Sequence, residues 1–265
     1  MKEVESRRMC PNCRAFISQA DRTCPYCEFQ LEAPRREIRA RRHPQSDTIA
    51  GLIPHARFTT SMILLLNLVL FLASEFDGRL INAAMSNGQL VFGFGQWWRL
   101  VTAGFFHGGV FHILMNSWVL FDLGCQVEDV YGSERLIVFY FISTICGFAL
   151  SAFLGHSAVG ASAGIYGLLG VMIALGRQAR NALGDQISGL YTRWAIFGLV
   201  MSFLPGIDLA AHLGGLASGF AVAFLTGMPR VYDAAGEVLW RWAAYGCLAL
   251  TAASFLMMLR LFLHL

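Results

Sequence analysis

Ser162, His212, His112 and Asn116 are a hydroxyl, two imidazoles and a carboxamide. Acyl transfer needs that set: a nucleophile, a base to take its proton, and donors for a developing oxyanion. Their surroundings make them informative. Ser162 lies in Gly160-Ala161-Ser162-Ala163-Gly164-Ile165-Tyr166-Gly167, inside a long apolar stretch, and the whole chain is 56% AVILMFWYC and only 14% charged, with a mean hydropathy of +0.54. That composition excludes a soluble domain with a polar surface and predicts an all-α polytopic membrane protein. An ionisable group at membrane depth costs about 2.5–3.5 kcal/mol, so His112, Asp208 and His212 are expected to be there for a reason. Taken singly, a serine in an apolar helix is usually a packing residue bonded to its own backbone. A Gly-x-Ser-x-Gly run is also the elbow of soluble α/β-hydrolases, but no strand precedes this one.

The elements that must position these residues are transmembrane helices. Apolar runs long enough for a core of ~30 Å occur at about 58–74, 110–127, 134–154, 161–178, 190–204, 208–226 and 239–263. This makes seven spans, or six if the turn at Pro205-Gly206 does not separate two of them. The last carries no catalytic residue type in its interior. The first 57 residues differ, with 11 Lys/Arg, 7 Asp/Glu and four of the seven cysteines. They predict a small soluble module and show no apolar h-region of a signal peptide.

Lys/Arg asymmetry predicts a cytoplasmic N-terminus in a cell membrane. The basic tail, Arg135, Arg177, Arg180, Arg193, Arg230 and Arg241 then lie inside, and outside lie Arg79, Arg99 and Arg260. Spans two, four and six enter from outside, which brings His112, Asn116, Ser162 and His212 to one depth. His112 and Asn116 are i,i+4 on one helix face, as are Ser162 and Tyr166. The small-residue repeats Gly160-x3-Gly164, Ala163-x3-Gly167 and Ala211-x3-Gly215-x3-Gly219 are expected to draw spans four and six together. Asp208 is i−4 from His212, but its place nearer the helix end argues against an orienting role. His107 reads as structural, and Asp122, Glu128 and Asp129 as caps or tethers. The loop from Glu75 to Val110, with Trp97 and Trp98, reads as an interfacial amphipathic element, and span five from Tyr191 to Leu204 as a lateral gate.

Five motifs in order carry a family resemblance: Trp98-Arg99, His107-x4-His112-x3-Asn116, Gly124-x3-Glu128-x3-Gly132, Gly160-Ala161-Ser162, and Ala211-His212-Leu213-Gly214-Gly215-Leu216-x2-Gly219. Over roughly 58–228 the chain resembles the rhomboid intramembrane serine proteases. The resemblance implies a six-helix catalytic bundle, here with a seventh C-terminal helix over 229–265. It implies Ser162 as nucleophile, His212 as base, His112 and Asn116 as oxyanion stabilisers, and Tyr166 stacked on the histidine. The chemistry needs no metal and no third carboxylate. Substrates would be single-pass or polytopic transmembrane proteins, cut near their extracytoplasmic end. A catalytically silent member that retains or escorts transmembrane helices is the alternative, although silent relatives typically lack the Ser or the His. Ala163 stands where family members usually have glycine.

Cys10-Pro11-Asn12-Cys13 and Cys24-Pro25-Tyr26-Cys27 form CxxC-x10-CxxC, the ligand spacing of a tetrahedral zinc site. Disulfides are disfavoured on a reducing cytoplasmic side. A module of about 30 residues (1–33) lacks a sufficient core, so Zn²⁺ would supply much of its folding free energy, as in a zinc ribbon. Residues 34–57, with Arg35, Arg36, Arg39, Arg41 and Arg42, read as a basic linker against anionic lipid. A cytoplasmic partner of the module is expected. Nucleic-acid binding is disfavoured, because the basic run adjoins a membrane and has few interleaved aromatics.

Overall fold

The computed structural model describes residues 7–10, 12, 13, 16–18, 21, 23–30, 57–228 and 234–264. The expected linker over 34–57, apart from Arg57, lies outside the described residues, as do Arg230, His43 and His55. The chain divides into two compact units, Met1–Ser46 and Asp47–Leu265.

Seven long helices build the larger unit among the described residues: α1 (Phe58–Phe76), α2 (Val110–Tyr131), α3 (Ser133–Phe153), α4 (Ser162–Ala179), α5 (Ala182–Met201), α6 (Leu209–Thr226) and α7 (Ala234–Leu263). The break at residues 202–208 separates α5 from α6, so the apolar runs on either side of Pro205-Gly206 are two helices. Five of them, α1, α2, α3, α6 and α7, are long and apolar enough to cross a membrane, with mean hydropathies of 1.3 to 2.1. The protein is a multi-pass membrane protein. α4 reaches its place by another route. Every residue from Ala163 to Gly176 is buried, so this glycine-rich helix is sheathed by its neighbours and needs no lipid-facing apolar surface.

Local chemistry marks where helices start and turn. Between α2 and α3 the chain reverses at Gly132, whose φ of +84° favours glycine. Asn181 caps α5 by accepting from the Gly184 amide at 2.8 Å, and Asp208 caps α6 by accepting from the Ala210 and Ala211 amides at 2.9 and 3.2 Å. Such caps contribute about 1 kcal/mol each. Buried Glu128 on α2 serves α1: its carboxylate accepts from the Thr59 and Thr60 amides at 3.0 and 2.9 Å and from the Thr60 hydroxyl at 2.8 Å. The tethering role read for Glu128 is therefore a helix-to-helix cap.

Two expectations need correction. The segment before α2 is more than a surface amphipath, because it folds around Arg99, only 3% exposed, whose guanidinium donates to the Asn82 and Met85 carbonyls, both at 2.8 Å. Arg99 is thus a buried anchor of this segment, while Phe92, Phe94 and Trp97 stay exposed. Two boundaries also move: α5 starts eight residues earlier than the expected 190, at Ala182 under its Asn181 cap, and α7 five earlier than the expected 239, at Ala234, where Glu237 accepts from Arg135 of α3 at 2.8 and 3.1 Å.

Candidate active site

The site forms where α4 begins. Gly160 adopts φ +133° and its amide donates to the Ala103 carbonyl at 2.9 Å. Ser157–Ala158 (β4) pairs with Ser86–Asn87 (β3) just before it. Ser162 is then the first helical residue, half-buried, and the cap residue Ala161 has no side chain with which to satisfy the first-turn amides. Such an end carries unsatisfied N–H groups and the positive end of the helix dipole, both suited to an anion.

α4 and α6 meet through backbone. A Cβ added at Gly215 would lie 2.1 Å from the Ala163 carbonyl oxygen, and one at Gly219 would lie 2.1 Å from that of Gly167. The stripe on α4 is Ala163, Gly167 and Gly170, against Gly215, Leu216 and Gly219 on α6. The Gly160-x3-Gly164 repeat does not belong to it, because Gly160 precedes the helix and Gly164 faces Tyr140 and Thr144 of α3. The methyl of Ala163 is accommodated at Gly147, where an added Cβ would come within 2.7 Å of it. The extra carbon relative to glycine is therefore matched by a missing one across the interface.

That close approach sets His212 over Tyr166, with ring centroids 4.0 Å apart and planes 13° from parallel. Tyr166 lies one turn below Ser162, so serine and imidazole flank the same face of α4. Among the described residues no hydrogen bond joins Ser162 to His212. The imidazole instead bonds through Nδ1 to the Ser202 hydroxyl at 2.6 Å, and among the described residues Nε2 has no hydrogen-bond partner. Ser202 was not singled out from sequence. It lies in the irregular turn after α5, where no helical spacing relates it to His212. Asp208 takes no part in orienting His212: besides capping α6 it accepts from the Ser151 hydroxyl and lies 3.2 Å from His156 Nδ1.

His112 and Asn116 on α2 converge on the turn before Ser162. A Cβ at Gly160 would lie 2.6 Å from His112 Nε2 and 3.5 Å from Asn116 Nδ2. The Asn116 amide nitrogen is buried with no partner among the described residues, an unused donor beside the α4 N-terminus. His107 accepts from the Ala161 amide at 3.4 Å and sets its ring edge-on to His112 at 5.1 Å, the structural place read for it. The structure thus gathers Ser162, His212, Tyr166, His112 and Asn116 around one helix end.

The smaller unit holds the cysteines. Arg7–Met9 (β1) pairs antiparallel with Phe16–Ser18 (β2), and a second turn is closed by the Cys24 amide donating to the Phe29 carbonyl at 3.0 Å. The sulfurs of Cys10, Cys13, Cys24 and Cys27 lie within 4.8 Å of one another, with Cys10–Cys27 and Cys13–Cys24 both at 3.7 Å. A disulfide would need about 2.05 Å. Metal–sulfur bonds of about 2.3 Å in a tetrahedron put sulfurs roughly 3.8 Å apart, so the four thiols fit one metal ion. The Phe29 amide, with Asn12 Nδ2 3.5 Å from the sulfur, holds the Cys27 thiol down to about 6, and the Cys13 amide lowers Cys10. Thiolate is the ligand form.

Residues 94–229, about half of the chain, match the Rhomboid domain family model. The chain is 29% identical over 197 residues to rhomboid protease GluP of Bacillus subtilis (strain 168), covering 70% of this chain and 38% of that protein. It is 36% identical over 132 residues to rhomboid-like protease 2 of Toxoplasma gondii, covering 48% of this chain and 47% of that one. To RHOMBOID-like protein 4 of Arabidopsis thaliana it is 36% identical over 134 residues, covering 49% and 34%. The chain therefore spans less than half the length of each of these relatives.

Proposed function

The chain belongs to the rhomboid family, and on that premise we propose that it is an intramembrane serine endopeptidase working through Ser162 and His212. One observation carries the reading: a serine at an uncapped helix N-terminus, a histidine stacked beside it with Nε2 unused, and an orphaned amide donor on Asn116 all meet at one point.

His212 Nε2 takes the Ser162 proton as Oγ attacks the scissile carbonyl, then returns it to the leaving amine. The α4 amide end, His112 and Asn116 Nδ2 receive the oxyanion. Water releases the acyl group from Ser162 with His212 again as base. The Ser162–His212 hydrogen bond absent from the free protein forms with substrate, since such bonds often tighten only in the complex. Tyr166 fixes the plane of the imidazole. With the N-terminus cytoplasmic, the site opens outward, and the cut falls near the extracytoplasmic end of a transmembrane substrate, at a stretch that can unwind. Substrate enters past α5.

The four-cysteine unit binds one structural Zn²⁺ through Cys10, Cys13, Cys24 and Cys27. The thiolate set and its spacing suit that ion, which would fix the fold of residues 1–33, and the unit serves a cytoplasmic partner rather than turnover. Mass spectrometry of both fragments of a reporter helix tests the protease reading. A cut near the extracytoplasmic end, lost in Ser162→Ala, is expected. Full cleavage by Ser162→Ala, or a wild type that binds helices without cutting them, contradicts it.

A further inference from the structure

We infer that Ser202 is a positioning residue that holds neutral His212 as the Nδ1–H tautomer, so that Nε2 is the free base facing Ser162; this rests on the proteolytic reading above. The available hydrogens fix the arrangement. Ser202 Oγ lies 2.8 Å from the Gly198 carbonyl oxygen and 2.6 Å from His212 Nδ1, and the residue is 4% exposed. A carbonyl can only accept, and a hydroxyl has one proton to give. If Ser202 donated to Nδ1, its lone pairs would face the Gly198 oxygen at 2.8 Å, and the imidazole proton would sit on Nε2, where it blocks general-base action. Both contacts are satisfied together only when Ser202 donates to Gly198 and accepts from Nδ1–H. A buried hydroxyl thus does for His212 what a carboxylate does in a triad: it chooses the tautomer and the ring orientation. Asp208, the nearest carboxylate on the same helix, is engaged by the α6 cap, Ser151 and His156.

The bond also crosses between helices. Ser202 follows the end of α5, while His212 rides on α6. The α5 end is held against α4 at Gly198, where an added Cβ would lie 2.1 Å from the Tyr166 hydroxyl oxygen. Tyr166 therefore touches both the imidazole and the helix that supplies its acceptor. Displacing the α5 end removes the acceptor from Nδ1.

Ser202→Ala and Ser202→Thr would be compared with wild type in nanodiscs by three readouts: reporter cleavage, unfolding midpoint, and 15N spectra of histidine-labelled protein with His212 assigned through His212→Asn. Ser202→Ala should lower kcat about three- to tenfold, the usual scale of one lost hydrogen bond, with KM and the midpoint nearly unchanged. Its His212 signals should shift from Nδ1–H toward the Nε2–H form, and Ser202→Thr should restore both kcat and the Nδ1–H signals. An unchanged tautomer in Ser202→Ala overturns the inference, as does a kcat loss accompanied by an equal fall in the midpoint that threonine does not repair. A wild type that neither cleaves nor depends on Ser162 would overturn the proteolytic reading instead. The nitrogen spectrum reads the Ser202 contact with or without turnover.

Discussion

The α4–α6 pair and α5 face the same site in opposite ways. α4 is buried from Ala163 to Gly176 and touches α6 backbone to backbone at Gly215 and Gly219. α5 turns Trp194, Ile196, Phe197 and Val200 outward, each about half exposed, and buries only Gly184, Ser188, Tyr191 and Ala195. At its start α5 also packs backbone to backbone on α4, since an added Cβ at Gly176 would lie 2.5 Å from the Gly184 oxygen. Its far end rests on Gly198 against Tyr166 and Ser202 against His212. The difference teaches a division of labour. Small residues lock together the two helices that carry Ser162 and His212, the proposed nucleophile and base, whereas the third helix turns large side chains outward and touches α4 through Gly184 at its start and Gly198 at its end.

The largest expected effect is on the locked pair. Ser162→Ala, His212→Ala and the double variant should each lose reporter cleavage by a similar factor, of order 10³ or more, because the two groups act as a unit; additive losses would mean they act separately. Next comes the oxyanion side. Asn116→Ala should cost about 10²-fold in kcat with little change in KM, and a change confined to KM would assign Asn116 to substrate binding.

Stability sharpens the contrast between the helices. Gly219→Ala pushes a methyl at the Gly167 carbonyl and should destabilise by about 1–3 kcal/mol, whereas Phe197→Ala on the exposed face of α5 should stay within about 0.5 kcal/mol. Unfolding midpoints in detergent mixtures decide this, and equal losses would remove the distinction. The smallest effect on catalysis is expected from the other unit. Cys13→Ser should abolish binding of one zinc per chain and unfold that unit, leaving Ser162 labelling rates within about twofold. Because the Cys27 thiolate exists above about 6, metal affinity should fall as pH drops through that value, and elemental analysis across pH reports it.

The helices and most of the site were legible in the sequence because helical geometry translates spacing into faces. His112 with Asn116, and Ser162 with Tyr166, are four apart, and the small-residue repeats on α4 and α6 announce a close crossing. What escaped depends on places where the chain is not helical or where partners lie far apart in sequence. Ser202 meets His212 through a turn, Gly147 makes room for Ala163 from another helix, and Gly160 copies a helical repeat while sitting at φ +133° outside the helix. The burial of Arg99 was not legible either: beside Gln96 Oε1 at 2.6 Å its guanidinium meets the Asn82 and Met85 carbonyls, and backbone partners leave no side-chain pattern. CxxC-x10-CxxC needed no such context, since the spacing alone singles out the four thiols that the structure clusters within 4.8 Å of one another.

The proposed mechanism turns on Ser162 being an activated nucleophile. Its most direct test is fluorophosphonate treatment of the full chain in membranes, with the adduct located by peptide mass spectrometry. A covalent adduct on Ser162 in wild type, lost in His212→Ala, is expected. Labelling on another serine, or an unlabelled Ser162 in correctly inserted protein that still cleaves its reporter, would contradict it.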